Sequence, residues 1–269
     1  MTHRNRDSIA CPLPTLLVWR FTSGVYYEVF KHADFANAFG EAFQSYVGKV
    51  LMNGTSPART HILPEEQYRV GRDLKRTIDW IADQDEAALF IEAKTKRMAM
   101  EARVEIISQA ALSVELGKMA EIIVQVYRSI RDYREGHYPG YPFKKERQIF
   151  PIIVTLEDWL LMGTRLLSEL DSKVKAGLVS EGIPAAFLDE MPYTVCSAQE
   201  FENAIQVMEA ASIRTVLGGK VFDPAKREWV LDAYLRSDFR ELSGKAKFLF
   251  PQEYEALDIE ALWKTQAGA

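Results

Sequence analysis

The run Ala87-Ala88-Leu89-Phe90-Ile91-Glu92-Ala93-Lys94 constrains the fold more than any other segment of the chain. Its apolar start suits a strand whose faces are covered by helices, yet it ends on two charged residues. Strand alternation puts Glu92 and Lys94 on one face and Ala93 on the other. Upstream, Thr77-Ile78-Asp79-Trp80-Ile81-Ala82 is rich in β-branched and aromatic residues and reads as a second strand. The polar turn Asp83-Gln84-Asp85-Glu86 joins the two as an antiparallel hairpin. Asp79 then lies beside Glu92 and Lys94 near the open end of that hairpin. Burying three such groups without a role would be costly.

Other elements follow from periodicity and punctuation. Phe39, Ala42, Phe43, Tyr46, Val47 and Val50 form an apolar stripe on a helix from about Asp34 to about Leu51, closed by Asn53-Gly54. Gln67–Val70 reads as an earlier strand. The stretch from Met98 to Arg134 lacks proline and is long enough for two helices. Phe150–Thr155 suits a central strand with Pro151 expected at its start. A helix is expected from Leu156 to Leu170, then a strand at Tyr193–Cys196. Ser197 and Glu200 make a capping box for the next helix, and Asp223-Pro224 opens one more. This order predicts an α/β domain with a mixed central sheet flanked by helices, and an additional, mainly helical C-terminal region. The expected divisions are an irregular extension over 1–34, a central domain over 35–215 with its motif core at 35–160, and a helical region over 216–269.

Composition narrows the class. The chain has 269 residues, 48% hydrophobic and 26% charged, which excludes disorder and coiled coil as the dominant state. No stretch reaches the ~18 apolar residues of a membrane span, and no signal peptide is recognisable. With two cysteines, Cys11 and Cys196, a cytoplasmic location is expected. The net charge of −5 is uneven: residues 1–150 carry 21 basic against 19 acidic side chains, and the remainder 12 against 19. An acidic total disfavours a passive nucleic-acid coat but permits an enzyme with a local basic groove.

Two carboxylates held together offer hard oxygen ligands for Mg²⁺ or Mn²⁺, with the Ala93 carbonyl as a further ligand. Lys94 beside them would stabilise an attacking hydroxide and the charge developing on a phosphorane-like transition state. Asp79 followed by Leu89-Phe90-Ile91-Glu92-Ala93-Lys94 resembles the D-(x)n-ExK core of the PD-(D/E)XK nuclease superfamily, the restriction-endonuclease-like fold. The resemblance covers roughly residues 35–160. It implies metal-dependent hydrolysis of phosphodiester bonds, usually in DNA, with Asp79 and Glu92 as metal ligands and Lys94 as the catalytic lysine. Many members place a glutamate in the first helix, four positions after a glycine. Here that count from Gly40 reaches Gln44, a neutral ligand or water-orienting group at most.

Arg72, Lys75, Arg76, Lys96, Arg97 and Arg103 flank the motif as candidate phosphate contacts. Lys144, Lys145 and Arg147 form a third basic group, and Gln125 and Tyr127 read as helix surface and core. DNA is the expected partner, with a homodimer or a partner protein as a source of specificity. The alternatives are RNA cleavage by the same site, or a catalytically silent binding or assembly module.

Overall fold

The computed structural model describes residues 33–95, 109–159 and 163–256. The chain divides into two compact units, Met1–Ala42 and Phe43–Ala269. Helix α1, Ala33–Gly54, begins in the first and continues into the second. Within the first unit, Phe35 and Phe39 stack one helical turn apart, with ring centroids 5.4 Å from each other.

The second unit is built on a five-stranded mixed sheet. Its strands are β1 (His61–Pro64), β4 (Trp80–Asp83), β5 (Ala87–Lys94), β6 (Gln148–Thr155) and β7 (Thr194–Ser197), in the order β1-β4-β5-β6-β7. The β1–β4 and β4–β5 pairs are antiparallel, while β5–β6 and β6–β7 are parallel. A parallel neighbour needs a long crossover. The 26-residue helix α2, Gln109–Arg134, lies between β5 and β6 in the chain. Strands β2 (Gln67–Val70) and β3 (Asp73–Arg76) pair with each other as a separate hairpin.

Each face of the sheet carries its own core. Ala88, Phe90, Ile149 and Ile153 pack against α2, through Ile123, Tyr127 and Ile130, and against α3 (Thr164–Ser180), through Val174 and Leu178. Leu89, Ile91, Phe150, Ile152 and Val154 pack on the opposite face against Val47, Val50 and Leu51 of α1. That second core also takes in Phe201 and Ile205 of α5 (Ala198–Ala211), Val216 and Leu217 of α6 (Ile213–Val221), and Leu231 and Leu235 of α8 (Leu231–Asp238). The short helices α4 (Ala186–Glu190), α7 (Pro224–Arg227), α9 (Arg240–Ser243) and α10 (Pro251–Ala256) complete the described elements. The result is the expected α/β architecture, a mixed sheet flanked by helices. Among the described residues no helix is long and apolar enough to cross a membrane.

Several boundaries differ from the sequence reading, each for a physical reason. Strand β4 starts at Trp80, because Thr77 and Ile78 spend their amides elsewhere: Thr77 N–H donates to the Glu66 carbonyl at 2.8 Å and Ile78 N–H to the Tyr138 hydroxyl at 3.2 Å. Pro151 lies inside β6 rather than at its start. Strand β7 joins only from Ile152 onward, so one side of β6 has no ladder partner at the proline and its missing donor is tolerated. The helix expected from Leu156 is instead α3, which begins at Thr164 after Gly163 with φ of 89°. One helix, α2, accounts for the described part of the long proline-free stretch. The Ser197–Glu200 capping box and the Asp223 cap before Pro224 form as expected.

Candidate active site

The carboxyl end of β5 builds the site. Register places Trp80 opposite Ile91, so Asp79, one residue before β4, falls in the next transverse row with Glu92. Directly opposed residues of an antiparallel pair share a face, and this face is the one that carries Ala88 and Phe90. Asp79 is held there by its backbone neighbour across the row: Ala93 N–H donates to Asp79 Oδ2 at 2.8 Å. Lys94 Nζ lies 2.6 Å from Glu92 Oε1, with the Glu92 side chain only 6% exposed and that of Lys94 31%. Asp79, Glu92 and Lys94 therefore come together as the spacing predicts.

Electrostatics explains what this grouping is poised to do. Burial, then repulsion from Glu92, pushes the Asp79 carboxyl up to about 7 against the opposing pull of the Ala93 amide and Lys94. Burial also raises Glu92, although Lys94 works in the other direction. Burial alone would depress Lys94, but Glu92 and then Asp79 outweigh it and hold the ammonium above the ordinary lysine value. Asp79 and Glu92 are thus two crowded carboxyl groups beside a firmly charged Lys94.

A divalent ion fits this donor set. Hard carboxylate oxygens suit Mg²⁺ or Mn²⁺, and mutual repulsion between buried acids is what a dication relieves. Among the described residues no three His, Cys, Asp or Glu side chains converge into a ready-made cage. Mg²⁺ does not need one, since it commonly takes one or two carboxylates and completes its shell with water and substrate phosphate.

The sequence reading missed Glu65. Strand β1 pairs Pro64 with Trp80, so the row that holds Asp79 and Glu92 continues to Glu65 on the other side. Its charge acts on Asp79, Glu92 and Lys94 alike. Only the register of β1, a strand the sequence pattern did not declare, brings it there. Gln44 offers its main chain rather than its side chain: its carbonyl accepts from Trp80 Nε1 at 2.9 Å. Gly48 permits this approach, because a Cβ there would lie 2.2 Å from the Trp80 ring.

The basic candidates separate. Arg72 and Arg76 are exposed on the β2–β3 hairpin, and Arg76 Nη1 also reaches Glu65 Oε2 at 3.3 Å. Lys75 instead contacts the buried Asp132 of α2 at 2.7 Å, beside the Tyr68 hydroxyl, which donates to the same oxygen at 2.8 Å. Lys96, Arg97 and Arg103 lie outside the described residues. Arg147, expected in a basic loop, is buried: it pairs with Asp83 at 2.8 Å and lies over the Tyr141 ring at 4.3 Å. Tyr127 is core, its hydroxyl donating to the Met191 carbonyl, and Gln125 is surface.

No protein-family model matches the chain, and no curated protein matches it. Among solved structures it is similar to the small subunit of the heterodimeric restriction endonuclease R.BspD6I, at 9% sequence identity and a TM-score of 0.35. That match covers 80% of this chain and 97% of the other. A likeness that slight leaves the function to be read from the side chains.

Proposed function

We propose that the protein is a Mg²⁺- or Mn²⁺-dependent nuclease that hydrolyses phosphodiester bonds in DNA. The observation that carries this reading is the row of Asp79 and Glu92 at the end of β5 with Lys94 2.6 Å from Glu92. Asp79 and Glu92 would hold the ion, joined by the Ala93 carbonyl. A bound divalent ion would supply Lewis acidity toward a phosphoryl oxygen and lower the pKa of a coordinated water.

The chain's own groups divide the remaining work. The Ala93 amide fixes the Asp79 carboxylate, so its free oxygen keeps one orientation. Lys94, on the same strand face as Glu92 and 2.6 Å from it, would orient the attacking water and neutralise charge on the phosphoryl group as it becomes pentacovalent. Its contact with Glu92 holds the ammonium protonated while substrate is absent. Burial of the Glu92 side chain, only 6% exposed, lowers the local dielectric and so strengthens these interactions.

Labelled duplex DNA, single-stranded DNA and RNA, each incubated with Mg²⁺ or Mn²⁺, test the reading directly. Metal-dependent cleavage of DNA that disappears in Glu92→Gln is the expected result. Cleavage confined to RNA would reassign the substrate. Absence of cleavage on every substrate by the folded protein would reduce the site to a binding or assembly role.

A further inference from the structure

The β2–β3 hairpin sorts its residues by face. Register pairs Gln67 with Arg76, Tyr68 with Lys75, Arg69 with Leu74 and Val70 with Asp73. On the inner side, Tyr68 is buried with its ring tilted 49° against that of Tyr138, centroids 5.4 Å apart, and Val70 packs on the same core. Lys75 and the Tyr68 hydroxyl converge on Asp132, as described above. On the outer side, Gln67, Arg69, Leu74 and Arg76 are all exposed, Leu74 at 58%, and Arg72 is exposed at the turn. Among the described residues neither Arg69 nor Arg72 has an ion-pair partner. The ten residues from Gln67 to Arg76 carry four basic side chains against one acidic, in a chain whose total is negative.

Two features make this face more than a solvated charge run. First, the hairpin is anchored to the core. An isolated two-stranded hairpin is marginal in water, but this one is clamped to α2 through Asp132. Its tight turn takes positive φ only at Gly71, 61°, as a Gly-first two-residue loop does. Second, the side-chain set matches the edges of base pairs. Arginine donates twice to guanine, glutamine pairs with adenine, and an apolar side chain meets the thymine methyl. A two-stranded ribbon, with strands ~4.8 Å apart, enters a major groove ~12 Å wide.

We propose that the outer face of this hairpin, Gln67, Arg69, Arg72, Leu74 and Arg76, docks into the major groove of duplex DNA and fixes where the site at Asp79 and Glu92 acts on it. This rests on the nuclease reading for its choice of partner. Arg72 at the tip is seven residues from Asp79. At ~3.3 Å per residue the tip reaches no more than ~23 Å from the acids, within one turn of B-DNA. The base edges that the hairpin touches therefore lie within about seven base pairs of the bond that is cut, at 3.4 Å per step.

Fluorescence anisotropy without divalent ions reads binding separately from cleavage. The probes are a labelled 24-base-pair duplex and its single strand, each titrated across a salt series. Arg69→Ala combined with Arg72→Ala should weaken duplex binding at least tenfold. It should also reduce the log–log salt slope by about 1.8, the value for two lost phosphate-scale contacts at ~0.9 each. Leu74→Ser should weaken duplex binding while leaving the slope unchanged, since no charge is removed. Both variants should melt like wild type. An unchanged duplex affinity and slope in the double variant overturns the proposal, as does an equal loss on single strands or a wild-type protein that does not bind duplex. Duplex binding lost in these variants, in a protein that cuts no nucleic acid with Mg²⁺ or Mn²⁺, would leave the hairpin assignment standing and remove the nuclease reading. Wild-type cleavage with an unchanged slope in the double variant would do the reverse.

Discussion

At the scale of single residues, Lys94 separates a catalytic grouping from an ordinary ion pair. Removing it as Lys94→Ala leaves Glu92 buried and unpaired, so stability at neutral pH should fall by roughly 1–3 kcal/mol. Single-turnover cleavage should fall by about 100-fold or more, the scale of one lost electrostatic stabiliser. Lys94→Arg keeps the charge but not the compact ammonium, and should recover little of the rate. Cleavage by Lys94→Ala at the wild-type rate, with enzyme in excess, would remove the lysine from the chemistry. The grouping of Asp79, Glu92 and Lys94 was legible because it depends on a spacing of two along one strand and on a hairpin that a short polar turn declares. Glu65 was not, because nothing in His61-Ile62-Leu63-Pro64 declares the register that aligns it with Asp79. Gln44 was read from a family count, whereas its engaged atom is a carbonyl, which carries no side-chain signature.

At the scale of elements, α1 seats Trp80, the residue after Asp79, while Asp132 of α2 anchors the hairpin. Gly48 lies under the Trp80 ring, and Trp80 immediately follows Asp79. Alanine is the better helix former by about 1 kcal/mol, yet Gly48→Ala should destabilise the protein by ~1–3 kcal/mol through overpacking. Its cleavage rate should fall as well, because a displaced Trp80 shifts the row of acids; denaturant melts beside cleavage assays check both effects. Asp132→Ala tests the hairpin clamp. It strips Lys75, Arg131 and the Tyr68 hydroxyl of their common acceptor, and should cost roughly 2–3 kcal/mol. Hydrogen exchange should quicken across 67–76 before it quickens in β5. The sequence showed β2 and not β3, since Asp73-Leu74-Lys75-Arg76 has no apolar alternation. Lys75 looked like a phosphate contact because its true partner lies 57 positions away on another element.

For the whole molecule, the proposed function requires that the site cost stability until it is filled, and pH exposes that cost. A carboxyl whose folded value is raised opposes folding once it must ionise. Its stabilising contribution is complete below the unfolded value and is lost as pH rises through the folded value. Asp79 moves from 3.8 to about 7, and Glu92 moves in the same direction. Asp132 has the opposite sign: burial alone would raise it, but Lys75, Tyr68 and Arg131 together hold it low, so its contribution is lost only in acid, as pH falls through its folded value. Between pH 4.5 and pH 8, at ~1.36 kcal/mol per pH unit, Asp79 therefore costs at most about 3 kcal/mol, and its partial exposure reduces that figure. The metal-free protein should melt lower at pH 8 than at pH 5.5. Asp79→Asn, which keeps an acceptor for the Ala93 amide, should flatten that slope and raise the melting temperature at pH 8. Mg²⁺ should stabilise wild type at pH 8, hardly at all at pH 5.5, where protons compete for the same oxygens, and not in Asp79→Asn at either pH. Calorimetric scans of both proteins at both pH values, with and without the ion, measure each of these outcomes. Equal stabilisation by Mg²⁺ at both pH values, or in the variant, would place the ion away from Asp79.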